Sequence, residues 1–187
     1  MQHNLEVRIA RQSDLQQLVQ LAVELFPFDY RRENRWNPTS VETYFYDHLS
    51  CSLASQIYVA GPKDNPSEIV GFVHYIAETL NGTVLALQGG LKKELRGNPF
   101  HLKRLYLQSE LLLCKDFVTR GYPVNYIKLN TGRANKASQS FFKLCGYVPA
   151  GDEKGTYGRG SHEIVMVKEI HKQDFPATFS DVIPQKS

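Results

Sequence analysis

The chain has 187 residues, 42% of them hydrophobic and 22% charged, which is typical of one globular domain and excludes a disordered chain. Its net charge of +3 is small and its basic residues are dispersed, so nucleic acid is not an expected partner. The three cysteines are far apart and form no C-x-x-C pair, which argues against a disulfide framework and against a metal site.

Membrane insertion and secretion are also not expected. No apolar run approaches the roughly 20 residues that are needed to cross a bilayer. The N-terminus has no basic segment followed by an apolar core, so no secretory signal is predicted. We therefore expect a cytoplasmic protein with no membrane partner.

The first half of the chain is predicted to contain two helices and four strands. An edge strand is followed by a helix that Ser13 and Asp14 would cap, and a second helix would be capped by Thr39 and Ser40. Asn81-Gly82 is a signal for a two-residue hairpin turn. The predicted elements are strand 6–10, helix 15–26, helix 41–49, and strands 57–61, 68–78 and 83–92.

The second half predicts a strand-helix-strand unit after a long helix. The long helix covers residues 100–120 and Gly121 would end it, and a short helix would end at Gly146. The other predicted elements are strand 125–131, helix 137–145, and strands 147–156 and 162–170. Residues 1–170 are thus predicted to form one domain, and residues 171–187 a loosely held tail.

The predicted element order is β-α-α-β-β-β-α-β-α-β-β. A hairpin-rich antiparallel half precedes a unit in which a right-handed crossover would make two strands parallel. The fold class is therefore α/β, with a mixed sheet in a single domain.

One segment, residues 126–147, carries a resemblance to a known family. The spacing of Asn135, the Phe141-Phe142 pair and Gly146-Tyr147 resembles the last strand-helix-strand segment of the GNAT superfamily of N-acetyltransferases. The resemblance implies the GNAT fold over about residues 6–170. In that fold two parallel strands, here 83–92 and 125–131, splay apart and hold the pantetheine arm of coenzyme A.

The loop after the first of these strands corresponds to the phosphate-binding loop of the family. The resemblance implies that residues of this loop bind the cofactor. The backbone amides at the N-terminus of the following helix would bind its pyrophosphate, because a helix N-terminus is a natural anion site. The family glycines are replaced here by Pro99, which has no N–H, and by His101. An ordinary helix start with proline in its first turn is the alternative. The implied residues are Leu91, Arg96, Gly97, Asn98, Phe100 and His101.

Two further positions are implied by the resemblance. Asn135 would hydrogen-bond the pantetheine arm, or it would only cap its helix. Phe142 falls where many family members carry a tyrosine that protonates the leaving thiolate, and phenylalanine has no hydroxyl for that step. A thiolate with a pKa near 8.5 leaves without that help in many such reactions.

The candidate general base is Glu78, near the end of the strand that precedes the cofactor strand. A solvated strand-end carboxylate is the alternative. His74 alternates with Ile76 and would face the same side as Glu78. We expect Cys145 to serve packing rather than nucleophilic chemistry.

The acceptor is expected to contact the aromatic and charged segment 26–36. Its acidic members would hold a cationic amine, its arginines could instead hold a carboxylate, and a lid packed on its own domain is the third alternative. The predicted substrate-binding residues are Phe28, Asp29, Tyr30 and Glu33.

The resemblance implies an N-acetyltransferase that transfers an acetyl group from acetyl-CoA to a primary amine of a small molecule or protein. The altered loop leaves two alternatives: a longer acyl-CoA or an acyl carrier protein as donor, or a binding or regulatory module that has lost catalysis. Family members often form dimers, so a homodimer is possible.

Overall fold

The computed structural model describes residues 5–26, 38–50, 54–78, 81–155 and 162–171. These residues form a mixed α/β domain. The strands are β1 (Leu5–Ile9), β2 (Ser55–Pro62), β3 (Gly71–Glu78), β4 (Thr83–Leu91), β5 (Tyr126–Gly132), β6 (Val148–Lys154) and β7 (His162–Glu169). The helices are α1 (Leu15–Leu25), α2 (Pro38–Ser50), α3 (Pro99–Thr119) and α4 (Lys136–Leu144), and short 3-10 helices precede α1 and α3.

All seven strands belong to one sheet, in the order β1-β2-β3-β4-β5-β7-β6. β4 and β5 run parallel, and every other neighbouring pair is antiparallel. The crossover between β4 and β5 contains α3, as expected for parallel neighbours that need a long connection. β1 lies at one edge of the sheet, as the sequence predicted.

The parallel pairing is interrupted part-way along β4. It runs from Thr83 opposite Tyr126 to Ala86 opposite Leu129, although both strands continue further. The register between β3 and β4 also shifts at this point, which leaves one extra residue, Leu87, as a β-bulge. We call the space between the two strands beyond Ala86 the gap, bounded by residues 87–91 and 130–132.

Two apolar layers cover the sheet. The larger one contains α3 and α4, and its members include Tyr75, Leu105, Phe117, Ile127 and Met166. The smaller one contains α1 and α2, and its members include Leu18, Ala22, Val41, Phe45 and Phe72. We call the second side the α1–α2 face. Alternation of side chains along β3 places Tyr75 on the α3 side and His74 on the α1–α2 face.

The predicted element order is confirmed, and the two glycines predicted to end α3 and α4, Gly121 and Gly146, have positive φ angles of 83° and 91°. Three local predictions were wrong. The turn between β3 and β4 has four residues rather than two, because Glu78 pairs directly with Thr83. Thr39 and Ser40 were predicted to cap the second helix, but α2 begins at Pro38 and includes both of them. The third wrong prediction is the cap of α1 by Asp14.

Asp14 does not cap α1 with its side chain, because its carboxylate has other partners. It accepts a hydrogen bond from the Arg11 N–H at 2.8 Å and forms an ion pair with Arg8 at 2.6 Å. Burial would raise the pKa of Asp14, but these hydrogen bonds outweigh burial and lower it. Of the predicted tail, residues 171–187, the structure describes only His171, and residues 172–187 lie outside the described residues.

Candidate active site

The gap exposes the backbone of β4 to a ligand. The Lys92 N–H donates to the Val70 carbonyl at 2.8 Å, so Lys92 points toward the β3 side. Because successive residues of a strand direct their backbone groups to opposite sides, Leu91 and Gly89 point toward the gap. This fits the amide-rich pantetheine arm of coenzyme A, which can pair with a strand edge.

The loop after β4 folds back on the strand. Arg96 Nε donates to the Leu91 carbonyl at 2.8 Å, and a 3-10 helix, Lys93–Leu95, fills the space between them. Arg96 and Gly97 are both exposed. The side chain of Arg96 thus ties the loop to the end of β4 next to the gap.

The start of α3 is capped by Asn98. Its side-chain Oδ1 accepts from the Phe100 N–H at 3.0 Å, and its carbonyl accepts from the His101 N–H at 3.1 Å. The Asn98 N–H itself donates to the Leu95 carbonyl at 3.4 Å. The sequence predicted four backbone amides for phosphate binding. Three of them donate hydrogen bonds within the chain, those of Asn98, Phe100 and His101, and the fourth belongs to Gly97. A phosphate would have to displace the Asn98 cap to reach Phe100.

Unsatisfied polar atoms border the gap and the loop. Among the described residues, Gln88 Nε2 and His101 Nδ1 are buried and have no hydrogen-bond partner. Gln88 lies on β4 just past the bulge, and His101 lies in the first turn of α3. Because a buried polar group without a partner is costly, both atoms fit a ligand that supplies acceptors or donors there.

Asn135 caps the N-terminus of α4. The sequence analysis gave this role as the alternative to a contact with pantetheine. Its Oδ1 accepts from the Ser138 N–H at 3.1 Å. The residue is exposed and follows the gap end of β5. A contact between its side-chain amide and pantetheine stays a prediction.

Phe142 lies in an aromatic cluster rather than beside a replacement acid. Its ring is 5.3 Å from the ring of Tyr106 and 5.6 Å from that of Tyr147, measured between centroids. The Tyr147 hydroxyl donates to Glu110 at 2.7 Å, and burial, together with the Glu110 charge, raises the pKa of Tyr147 well above its usual value. The buried Tyr147 hydroxyl is thus engaged with Glu110, and its position does not favour the role of the missing acid.

The structure does not bring Glu78 to the gap. This carboxylate is exposed and pairs with Thr83 at the start of β4, whereas the gap opens at the other end of that strand. His74 lies opposite Gln88 at the gap, and Glu78 is four residues further along β3, or about 13 Å. The base role of Glu78 stays a prediction, and its position does not favour it.

A polar cluster on the α1–α2 face, centred on the buried His74 and Ser55, was not predicted from the sequence. It consists of His74 on β3, Ser55 on β2, and Tyr44 and His48 on α2, with hydrogen bonds of 2.6 to 3.0 Å. The one usable signal was the four-residue spacing of Tyr44 and His48, which places both on one side of a helix. Nothing in the spacing connects that side to the two strands.

The two cysteines that the structure describes, Cys114 and Cys145, are buried. Burial raises the pKa of Cys145 to about 11 and that of Cys114 to about 12. This supports the expected packing role of Cys145. Among the described residues no group of His, Cys, Asp or Glu is arranged to hold a metal ion. None of the helices in this part of the chain is long and apolar enough to cross a membrane.

The predicted substrate-binding residues cannot be placed relative to the gap. Phe28, Asp29, Tyr30 and Glu33 lie outside the described residues, which resume at the start of α2.

Comparison with solved structures identifies the fold. Spermidine N-acetyltransferase from Vibrio cholerae, in complex with CoA and spermine, superimposes with a TM-score of 0.69 at 18% identity, over 88% of this chain and 95% of that one. A protein assigned to the GNAT acetyltransferases from Desulfovibrio desulfuricans gives 0.67 at 13% identity, over 89% and 99% of the chains. Comparison of the sequence with models of protein families gave no match, and comparison with curated proteins gave none either.

Proposed function

We propose that this chain, which has the GNAT fold, is an N-acyltransferase that transfers an acetyl group from acetyl-CoA to an amine. The observation that carries the proposal is the gap, where β4 bulges and the parallel pairing stops after Ala86 and Leu129. A neighbour with this fold is in complex with CoA, which supports a CoA thioester as the donor.

In this mechanism the backbone of β4 binds and orients the donor. Gly89 and Leu91 direct their amide groups toward the gap, and Arg96 fixes the Leu91 carbonyl. The acyl-CoA thioester supplies an activated acyl carbon. A β4 N–H directed into the gap stabilises negative charge on the acyl oxygen. Because Phe142 has no acidic proton, the thiolate leaves without help from that position.

The acceptor is proposed to be an amine held on the α1–α2 face. Asn130 and Lys128 lie on this face of β5, because the intervening Leu129 packs on the α3 side. Glu153 contacts both of them, at 2.7 and 2.9 Å, and supplies a carboxylate close to the gap end of β5. Spermidine is a suitable first probe, since neighbours with this fold are spermidine N-acetyltransferases.

The alternative donor is an acyl carrier protein. Two observations favour it: three of the four candidate phosphate-binding amides are engaged within the chain, and Phe100 is 74% exposed. The exposed Lys93 and Arg96 lie in the adjoining loop. An exposed aromatic ring beside cations is complementary to the surface of an acidic carrier protein.

Isothermal titration with acetyl-CoA and with a long-chain acyl-CoA tests the donor. We expect micromolar binding of acetyl-CoA, and at least tenfold weaker binding by Arg96→Ala, because the loop loses its tie to Leu91. Lys115→Ala is the matched control: it also removes one positive charge from the region of α3, but about four turns from the loop. If the protein binds neither thioester but transfers an acyl group from an acyl carrier protein, the carrier protein replaces CoA as the donor. If it transfers an acyl group from no donor, the protein is an inactive module.

A further inference from the structure

Gln88 carries a hydrogen-bond donor that the described part of the chain leaves without an acceptor. Its Nε2 atom is buried and has no partner among the residues that the structure describes. Gln88 is the first residue of β4 after the bulge and lies opposite His74 of β3, so its side chain leaves the sheet on the α1–α2 face. Because a buried donor without an acceptor costs free energy, a ligand that supplies an acceptor there gains affinity.

The sheet neighbours of Gln88 on this face do not accept its hydrogen bond. Both ring nitrogens of His74 are engaged in other hydrogen bonds, of 2.6 and 2.8 Å. Gly90, the next residue of β4 on this face, has no side chain, and Phe72 opposite Gly90 is apolar. On its other side Gln88 borders the gap, where the pairing of β4 with β5 has ended. A ligand that enters the gap on this face can therefore supply the acceptor.

An apolar surface adjoins Gln88 on the same face. A Cβ atom added at Gly90 would lie 3.2 Å from Leu25 Cδ1, so the end of α1 covers β4 at this point. Phe26 packs edge to face on Phe72, with 6.3 Å between the ring centroids. Leu25 and Phe26 are half-buried, so part of each side chain stays accessible. The α1–α2 face beside the gap thus offers one amide donor next to aliphatic and aromatic groups.

We propose that Gln88 is a specificity-determining residue that donates a hydrogen bond to an oxygen of the acceptor. The acceptor is then an amine whose neighbouring carbon carries a carbonyl or carboxyl group, as in an α-amino acid or the N-terminus of a peptide. The proposal rests on the proposed function, in which the amine is held on the α1–α2 face near Glu153. Because Gln88 binds the oxygen and not the nitrogen, the amine stays free to attack the thioester.

The chemistry of the Gln88 amide distinguishes two classes of acceptor. Its N–H group needs a lone pair, which a carbonyl or carboxylate oxygen supplies. The nitrogens of an alkyl polyamine are protonated near pH 7, and an ammonium group is a donor only. The acyl oxygen of acetyl-CoA is assigned to a backbone N–H of β4 inside the gap, whereas the Gln88 side chain extends on the face that holds the acceptor. Gln88 therefore disfavours spermidine relative to an amino acid or peptide.

Two amines that differ in this oxygen test the proposal. Leucinamide and 3-methylbutylamine share the primary amine and the apolar group, but only leucinamide has a carbonyl group. We expect Gln88→Leu to lower kcat/KM for leucinamide about tenfold and to leave kcat/KM for 3-methylbutylamine within about twofold. Each amine is compared between the two proteins, so the difference in basicity between the amines cancels. A purely structural role of Gln88 would instead lower both values equally.

Gln108→Leu is the matched control, because it replaces another half-buried glutamine, in α3 on the opposite side of the sheet. It should leave kcat/KM for both amines unchanged. Gln88→Glu keeps the length of the side chain but has no N–H, so it should lose leucinamide as Gln88→Leu does and acetylate spermidine faster. Leucine and the tripeptide leucylglycylglycine distinguish a free amino acid from a peptide N-terminus, by which of them has the higher kcat/KM.

Binding without turnover separates this inference from the proposed function. The side-chain NH2 signals of Gln88 are assigned in nitrogen-15 NMR by their loss in Gln88→Leu. In the presence of CoA, we expect leucinamide to shift these signals and 3-methylbutylamine to leave them in place. A shift in a protein that acetylates no amine would overturn the proposed function and keep Gln88 as a ligand-binding residue. No shift with leucinamide, or equal losses of kcat/KM for the two amines in Gln88→Leu, would overturn the inference alone.

Discussion

At the scale of single residues, a buried ion pair on the α3 side of the sheet should have the largest effect on stability. Lys168 Nζ contacts Glu110 at 2.6 Å, and Glu110 is 2% exposed and also accepts from the Tyr147 hydroxyl. Burial raises the pKa of Glu110, although Lys168 and the Tyr147 hydrogen bond act in the opposite direction. Attraction to Lys168 therefore offsets part of the cost of desolvating Glu110, and burial remains the larger effect.

Lys168→Met should therefore destabilise the protein strongly. It leaves Glu110 buried without its counter-ion, which costs about 3 kcal/mol in the free energy of unfolding at pH 8. The loss should be smaller at pH 5, because a carboxyl with a raised pKa is protonated more readily there. Urea unfolding at both pH values measures this difference.

The control for that change is Lys128→Met, which breaks the half-exposed pair with Glu153 and should cost at most about 1 kcal/mol. Adding Glu110→Gln to Lys168→Met should restore part of the lost stability, because it removes the buried charge and keeps an oxygen that accepts from the Tyr147 hydroxyl. Equal losses in the two lysine variants would show that burial of Glu110 does not determine the effect.

At the scale of elements, the order of helices and strands could be predicted from the sequence. The signals used, the periodicity of apolar residues and the residues that end helices, are local in the chain. Gly121 and Gly146 ended α3 and α4 where predicted, since only glycine adopts their positive φ cheaply. Asp14 was misread because its partner Arg8 lies on β1, a tertiary contact that no helix-start signal contains. The bulge at Leu87 and the cluster around Ser55 were missed for the same reason: both depend on register between strands.

The start of α3 is the element whose stability and proposed function conflict. Asn98 stabilises the helix by accepting from the Phe100 N–H, and a phosphate would need that same N–H. Asn98→Gly should cost only a few tenths of a kcal/mol in stability, roughly the usual loss for glycine at this position. It should tighten acetyl-CoA binding about threefold by releasing the amide, as measured by titration calorimetry.

Asn135→Gly is the matched control for this change, because it removes the equivalent cap from α4. It should lower stability by a similar amount without tightening acetyl-CoA binding. Weaker binding by Asn98→Gly would mean that the asparagine side chain itself contacts the donor, a role beyond the backbone-amide contact that the sequence predicted.

At the scale of the whole molecule, the gap is an opening in an otherwise continuous sheet. A ligand that fills it joins the β1–β4 part of the sheet to the β5–β7 part, so binding should stabilise the fold as a whole. At a ligand concentration of 100 times Kd, the gain is about 2.7 kcal/mol. For a chain of this size the melting temperature should then rise by about 5–10 °C.

Hydrogen exchange locates the origin of that stabilisation. With acetyl-CoA bound, the amides of Gly89 and Leu91 should gain protection beyond the global increase, because they acquire a partner in the gap. The amides of the edge strand β1 serve as the internal control, since they lie three strands away from β4 in the sheet. Uniform protection across the sheet would place the ligand elsewhere, and a rise in melting temperature without any change at residues 87–91 would contradict the assignment of the gap. Because β4 and β5 lie at the centre of the sheet, the opening that would admit the donor is also the point at which the two parts of the sheet are least well joined.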